Sequence, residues 1–175
     1  MATYKIDPAH SEITFKIKHL MITNVTGSFT KFEGTMESSK DDFSDAQISF
    51  EADIDSITTN NEQRDGHLKS PEFFDAVTFP KLTFQSTSFE KVSGDDYKLT
   101  GNLTVHGVTE PVTLNVELGG VTTDPWGQSK VGFEITGKIN RKDFGLEWNA
   151  TLETGGVMLS EEVKLLLNVQ LIKQA

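Results

Sequence analysis

The sequence predicts an all-β protein, a closed, eight-stranded antiparallel β-barrel with a short helical insertion. Two observations carry that prediction. Apolar side chains recur at every second position through most of the 175 residues, the period of a strand with one dry and one wet face. One stretch, Asn60 to Phe84, breaks the period and gathers Arg64, His67 and the Phe73-Phe74 pair into a piece that cannot be a strand.

The chain begins with a turn at Asp7-Pro8-Ala9-His10. Ile13, Phe15, Ile17 and His19 then share one face, against Glu12, Thr14, Lys16 and Lys18 on the other. From Val25 to Ser38 the parity changes, with Gly27 and Phe29 before Phe32, Gly34 and Met36. A β-bulge near Thr30-Lys31 restores a common face. The polar turn Ser39-Lys40-Asp41-Asp42 leads to Ile48, Phe50, Ala52 and Ile54. Arg64 and His67 lie three apart, so one helical turn sets them on the same face. Ser70-Pro71 predicts a second short helix with Pro at its first position.

Past the insertion, Leu82, Phe84, Ser86 and Ser88 form one face of a strand ending in the hairpin turn Ser93-Gly94-Asp95-Asp96. Tyr97, Leu99, Gly101, Leu103 and Val105 alternate next. After His106-Gly107 come Val112, Leu114, Val116 and Leu118. Gly119-Gly120 and Asp124-Pro125-Trp126-Gly127 are expected to form a longer loop, followed by Val131, Phe133, Ile135, Gly137 and Ile139. A second irregular piece, Asn140 to Met158, holds Arg141, Phe144, Gly145 and Trp148. The last strand carries Val163, Leu165, Leu167, Val169 and Leu171. Hairpin spacing favours antiparallel pairing. Strands of about ten residues span about 33 Å and suit a tall barrel, whose closure removes their edges.

Composition narrows the function. The length fits a single domain over residues 1–175. Net charge is −10 with no run of Lys or Arg, so nucleic acid is not an expected partner. No stretch approaches the roughly 18 apolar residues of a transmembrane segment. The opening M-A-T-Y-K-I-D lacks the pattern of a signal peptide, so a cytoplasmic location is expected as written, and a periplasmic one if an export signal has been removed.

The inward positions are the candidate ligand-binding surface. Phe15, Ile17, Phe29, Phe32, Phe50 and Phe84 supply one part of it, and Leu99, Leu103 and Phe133 the rest of the wall. Glycines interleave with them, either leaving space for a ligand or letting neighbours lean in. A hydrocarbon gains about 0.8 kcal/mol per buried CH₂ in such a lumen, whereas a sugar or nucleotide finds few partners. Phe73 and Phe74 line or plug the tube, and Trp148 sits on its rim. His19, Arg64, His67 and Arg141 are the groups able to meet a phosphate or carbonyl head. Three of them have a named structural alternative: Arg64 pairing with Asp65 or Asp75, Arg141 with Asp143, and His19 as a satisfied core histidine. His106 is expected to face outward.

There is no nucleophile elbow, P-loop or dinucleotide fingerprint, so no catalytic residue and no cofactor is expected. The four histidines lack close ligand spacing and no cysteine joins them, so no metal is expected either. Three alternatives stay open: a His19–His67 metal pair, a lipid-acting enzyme with a histidine base, and an interaction protein using the barrel as scaffold.

Several ordered blocks resemble one family. They are Asp7, His10, Ser11, Phe15, His19 and Leu20; Gly27, Phe29, Phe32 and Gly34; Asn61, Arg64, Asp65, His67, Leu68, Phe73, Phe74 and Asp75; Phe79-Pro80 and Phe84; Gly101-Asn102-Leu103-Thr104; His106-Gly107-Val108-Thr109; and Arg141-Lys142-Asp143-Phe144-Gly145-Leu146. Over nearly its full length the chain resembles the YceI-like family of polyisoprenoid-binding proteins. The resemblance implies a lipocalin-like barrel with a helical insertion. It also implies a non-enzymatic carrier or sequestering protein for an isoprenoid or fatty-chain lipid, such as a polyprenyl pyrophosphate, a quinone or a fatty amide. Several members resemble dimers, which makes a homodimer the implied assembly. Many relatives carry an export signal, and this sequence departs from them there.

Overall fold

A computed structural model describes residues 1–149 and 158–175. Each of the first three barrel strands is built from two segments. β1 (Ala2–Ile6) and β2 (Glu12–His19) flank the 3₁₀ turn Pro8–His10, where Pro8 has no N–H for a ladder and Asp7 caps Ala9 N and contacts His10 Nδ1 at 2.7 Å. β3 (Thr23–Phe29) and β4 (Phe32–Ser38) separate at Thr30-Lys31. β5 (Gln47–Asp53) and the two-residue β6 (Ile57–Thr58) separate at a 3₁₀ turn, Ile54–Ser56. After helix α1 (Glu62–Lys69) come the long strands β7 (Lys81–Ser93), β8 (Asp96–Val105), β9 (Val108–Thr123), β10 (Ser129–Asn140) and β11 (Leu159–Lys173).

Every pairing is antiparallel. The first two broken strands pair through β1–β4 and β2–β3, and the second and third through β4–β5 and β3–β6. The ladder then runs β5–β7–β8–β9–β10–β11. β11 closes it on both halves of the first strand, with Leu171 opposite Ile6 and Leu165 opposite Phe15. The result is the closed eight-stranded antiparallel barrel that the alternation predicts.

The breaks in the first three strands lie side by side. Thr30 N donates to Ser56 O at 3.3 Å and Asp53 N to Lys31 O at 2.9 Å. Two residues leave the ladder at Thr30-Lys31, rather than the one of a simple bulge. The bend tucks Phe32, Ala52, Ile54 and Ile57 into a small side core with Ile13 and Phe29.

Two bulges correct the predicted faces. In β7 the register steps from Ser86 opposite Gly101 to Ser88 opposite Thr100, leaving Thr87 unpaired. Parity flips there, so Phe89 faces inward where Ser88 was expected, and its ring stacks on Tyr97 at 4.8 Å. In β9 the strand continues through Gly119-Gly120 to Thr123, with Gly119 as the bulged residue, because Gly120 faces Gly132 and Leu118 faces Phe133. The loop is shorter than expected. Asp124 closes it by accepting from Trp126 N and Gln128 N, both at 2.9 Å.

Inward glycines do not leave gaps. A Cβ at Gly27 would overlap the Phe15 ring, and one at Gly101 would overlap Phe84. These two glycines let a neighbouring aromatic ring lie against the sheet, and Gly137 does the same for the Leu114 side chain, so lumen space arises elsewhere.

The two barrel ends differ. One carries the β2–β3 turn, residues 59–80, the His106-Gly107 turn and the β10–β11 connection. The other is floored by the β4–β5 loop, whose Phe43 is 3% exposed and sits edge-on to Tyr4 at 5.7 Å and Phe133 at 5.8 Å. Tyr97 Oη donates to Asp42 O of that loop at 2.6 Å. Asp45 organises the loop by accepting from Ser38 Oγ at 2.6 Å, from Ser39 N at 3.0 Å and from the Ser39 hydroxyl.

Those hydrogen bonds, Ser38's first, hold the Asp45 carboxyl well below the usual carboxylate range. A depressed folded-state pKa contributes stability above the unfolded value of about 4, which is lost as pH falls toward the native value. Asp45→Asn should therefore flatten the decline in thermal midpoint between about pH 4 and 2. Melting curves followed by circular dichroism check this, and an unchanged slope would remove Asp45 from the acid transition.

Candidate functional site

The end opposite Phe43 is built by two irregular segments. In the first, Asn61 caps α1 by accepting from Arg64 N at 3.0 Å. Arg64 and Asp65 both turn to buried Thr59. Arg64 Nε donates to Thr59 Oγ1 at 2.7 Å and Nη2 to Thr59 O at 2.8 Å, while Asp65 accepts from Thr59 N and Oγ1. The guanidinium thus pairs with Thr59, and neither Asp65 nor Asp75 forms an ion pair with it among the described residues.

The second helix expected after Ser70-Pro71 is absent, and residues 70–79 form successive turns. The last carbonyls of α1 take the N–H groups that such a helix would need. Ser70 N donates to His67 O, Phe74 N to Leu68 O and Ala76 N to Lys69 O, with Asp75 left-handed at φ 51°. This wrap brings Phe73 and Phe74 under α1.

The second segment starts with the 3₁₀ turn Arg141–Phe144, stopped by Gly145 at φ 74°. Arg141 is 2% exposed. Its Nε donates to Ser160 O at 2.8 Å, and its Nη1 donates to Leu146 O at 2.6 Å and Trp148 O at 2.9 Å. Asp143 is not among its partners, which corrects the expected pair. Among the described residues Nη2 is buried without a hydrogen-bond partner. Burial pushes the guanidinium pKa below its ordinary value, with Glu161 opposing, yet an arginine so shifted stays charged.

Three rings join the segments. Trp148 stands edge-on to His67 at 4.8 Å and against Phe73 at 5.4 Å, and His67 and Phe73 are 5.2 Å apart. His67 Nε2 lies 2.5 Å from Glu72 Oε2. His106 does not face outward as expected. Its Nδ1 is 3.2 Å from Phe144 O and its ring is 5.0 Å from Phe79, so it fastens the β8–β9 hairpin to both segments.

Inside the barrel at this end lies a cavity of about 320 Å³, which reaches Phe89 and Phe133. Phe15, Ile17, Phe29, Phe50, Phe84, Leu99, Leu103 and Phe133 line it from the strands, with Phe73, Phe74 and Trp148 from the irregular segments. Phe32 does not. The break at Thr30-Lys31 turns it into the side core, 6.1 Å from the Phe50 ring. Among the described residues the ionisable groups in the wall are His19, Arg64, His67 and Arg141, and none is an acid. Phe89 also lines the cavity and escaped sequence reading because of the Thr87 bulge. Residues 150–157, within the second irregular piece, lie outside the described residues. Among the described residues no group of three or more His, Asp or Glu is placed to hold a metal ion.

Fold and site together define a closed antiparallel barrel with an apolar, incompletely filled interior and cationic groups in its wall. The chain belongs to the YceI-like family, whose domain model matches residues 4–171. It is similar to UPF0312 protein SA2479 of Staphylococcus aureus (strain N315), 42% identical over 165 residues that cover 94% of each chain. The crystal structure of the Campylobacter jejuni YCEI protein is similar at 33% identity and a TM-score of 0.78, over 91% of both chains. A polyisoprenoid binding domain from Saccharophagus degradans shares the fold at 18% identity and a TM-score of 0.70, over 98% of both chains.

Proposed function

We propose that the protein is a non-enzymatic carrier or store for an amphiphile with an isoprenoid or fatty chain. The tail lies in the barrel and the head lies at the α1 end. The carrying observation is the 320 Å³ cavity with an aliphatic and aromatic wall. A methylene occupies about as much volume as a water, about 30 Å³, so the cavity holds about ten carbons. Ten buried CH₂ groups contribute about 8 kcal/mol gross, from which the costs of association are subtracted. Two further points support the reading. The fold is shared with a domain described as polyisoprenoid-binding. An unfilled interior is also the opposite of the packed core that a scaffold role calls for.

The test is mass spectrometry of an organic extract from protein purified out of bacterial cells. A chain-bearing amphiphile near one equivalent per protein is expected. Protein that is free of lipid, and that takes up neither polyprenyl nor fatty compounds, would contradict the proposal.

A further inference from the structure

The β2–β3 hairpin differs from the rest of the surface in both polarity and charge. Among the described residues eight large apolar side chains are exposed, and three of them are consecutive at its tip. Leu20 is 38% exposed, Met21 60% and Ile22 78%. Leu20 and Met21 both have a left-handed backbone, at φ 53° and 64°, and Ile22 N donates to His19 O at 3.2 Å across the turn. Asn-Gly adopts successive positive φ angles at little cost, whereas a larger side chain resists them. Two apolar residues are thus held outward on a backbone that polar turn residues adopt more readily, and strain of that kind points to function. The charge pattern is as distinct. The chain has 26 acids, yet none lies between Glu12 and Glu33, where Lys16, Lys18 and Lys31 fall. Lys16 and Lys18 are exposed on β2, and Lys164 is exposed opposite Lys16 on β11. Among the described residues Lys16, Lys18 and Lys164 make no ion pair.

We propose that this hairpin docks the protein on a phospholipid bilayer, with its tip among the acyl chains and its lysines against the lipid phosphates. The tip borders the cavity. Leu20 N donates to Met158 O at 2.8 Å, and both Met158 and His19 belong to the cavity wall. A hydrocarbon chain passing between bilayer and barrel at that end stays out of water, and here the inference rests on the carrier function proposed above. Leu, Met and Ile at a turn, with lysines whose apolar stems lie behind them, match the interfacial region of a membrane. A second copy of this chain fits less well. A stable protein interface buries about 800 Å² on each partner, and three side chains at a turn supply a fraction of that. The net charge of −10 opposes approach from a distance. At physiological salt that repulsion reaches only about 8 Å, so the lysines decide at contact.

Co-sedimentation at physiological salt tests the docking without any cargo, using vesicles of phosphatidylcholine and of equal parts phosphatidylcholine and phosphatidylglycerol. Wild-type protein should bind both, and the mixed vesicles more tightly. Leu20→Asn combined with Met21→Gly should weaken binding tenfold or more and raise the thermal midpoint by about 2–4 °C, because the strain leaves with the apolar surface. Ile22→Asp, which leaves both left-handed residues in place, should weaken binding to a similar extent. Lys16→Glu combined with Lys18→Glu should abolish the preference for mixed vesicles; a preference that persists overturns the part given to the lysines. Calorimetry with decanoate separates docking from cargo binding, since the tip variants should take it up as wild type does. Protein that binds decanoate but neither vesicle overturns the docking and leaves the carrier function intact. Vesicle binding without decanoate uptake upholds the docking and counts against the carrier function. Binding undiminished in both tip variants assigns the membrane contact to another surface and overturns the proposal. A dimer in sedimentation velocity that dissociates in the tip variants, with no vesicle binding, assigns the hairpin to a second copy and overturns it as well.

Discussion

Lengthening a straight-chain carboxylate from six to ten carbons is expected to tighten its binding about 200-fold, and further lengthening to add little. Four methylenes at about 0.8 kcal/mol each give about 3.2 kcal/mol, or a little over two powers of ten. The limit comes from the shape of the interior. With the head at the α1 end, as proposed, the tail runs toward Phe89 and Phe133, behind which Phe43 closes the barrel. The cavity along that path measures about 320 Å³, room for about ten carbons. Calorimetry with even-numbered acids from hexanoate to tetradecanoate shows the effect as a steep rise followed by a plateau. The heat-capacity change should grow more negative along the rising limb, since each added carbon leaves water. A flat series would place binding outside the lumen, and a rise continuing to fourteen carbons would mean that the floor yields.

Phe43→Ala tests that floor and carries the largest expected cost in stability. The ring is 3% exposed and contacts Tyr4 and Phe133 edge-on, so its removal should cost about 3–5 kcal/mol. A fall in the denaturant midpoint with unchanged slope would register this. The same change should move the chain-length plateau. Loss of the ring frees on the order of 100 Å³, about three methylenes, behind Phe133, which lines the cavity. A destabilised variant with the original plateau would show that Phe43 braces the wall without ending the cavity.

Alternation read well wherever a strand kept one register with its neighbours. Tyr97 to Val105 and Val163 to Leu171 face inward as their period predicts. It misled wherever one residue slipped out of the ladder. At Thr87 the local sequence is unremarkable, and the parity change comes from pairing with β8, so Phe89 stayed hidden. Phe43 was hidden differently, as a lone aromatic in a polar turn with φ 60°, where no period exists to report it. The cations of the site were legible as residue types, but their partners were not. Arg141 is held by carbonyls from Leu146, Trp148 and Ser160, and Arg64 by Thr59. Main-chain acceptors leave no mark in a sequence, whereas the carboxylates beside both arginines suggested pairs that the fold does not make. The missing second helix has the same origin, in carbonyls of α1 that capture the N–H groups of residues 70–76.

Nuclear Overhauser contacts between decanoate and the methyl groups of isotope-labelled protein test the account most directly. Leu99, Leu103, Leu165 and Leu167 line the interior, while Val77, Val92 and Val121 are exposed and serve as internal controls. Cross-peaks from the alkyl protons to the four leucines, with none to the three valines, are the expected result. Contacts confined to surface methyls, with the leucines silent at saturating ligand, would show that the hydrocarbon never enters the barrel.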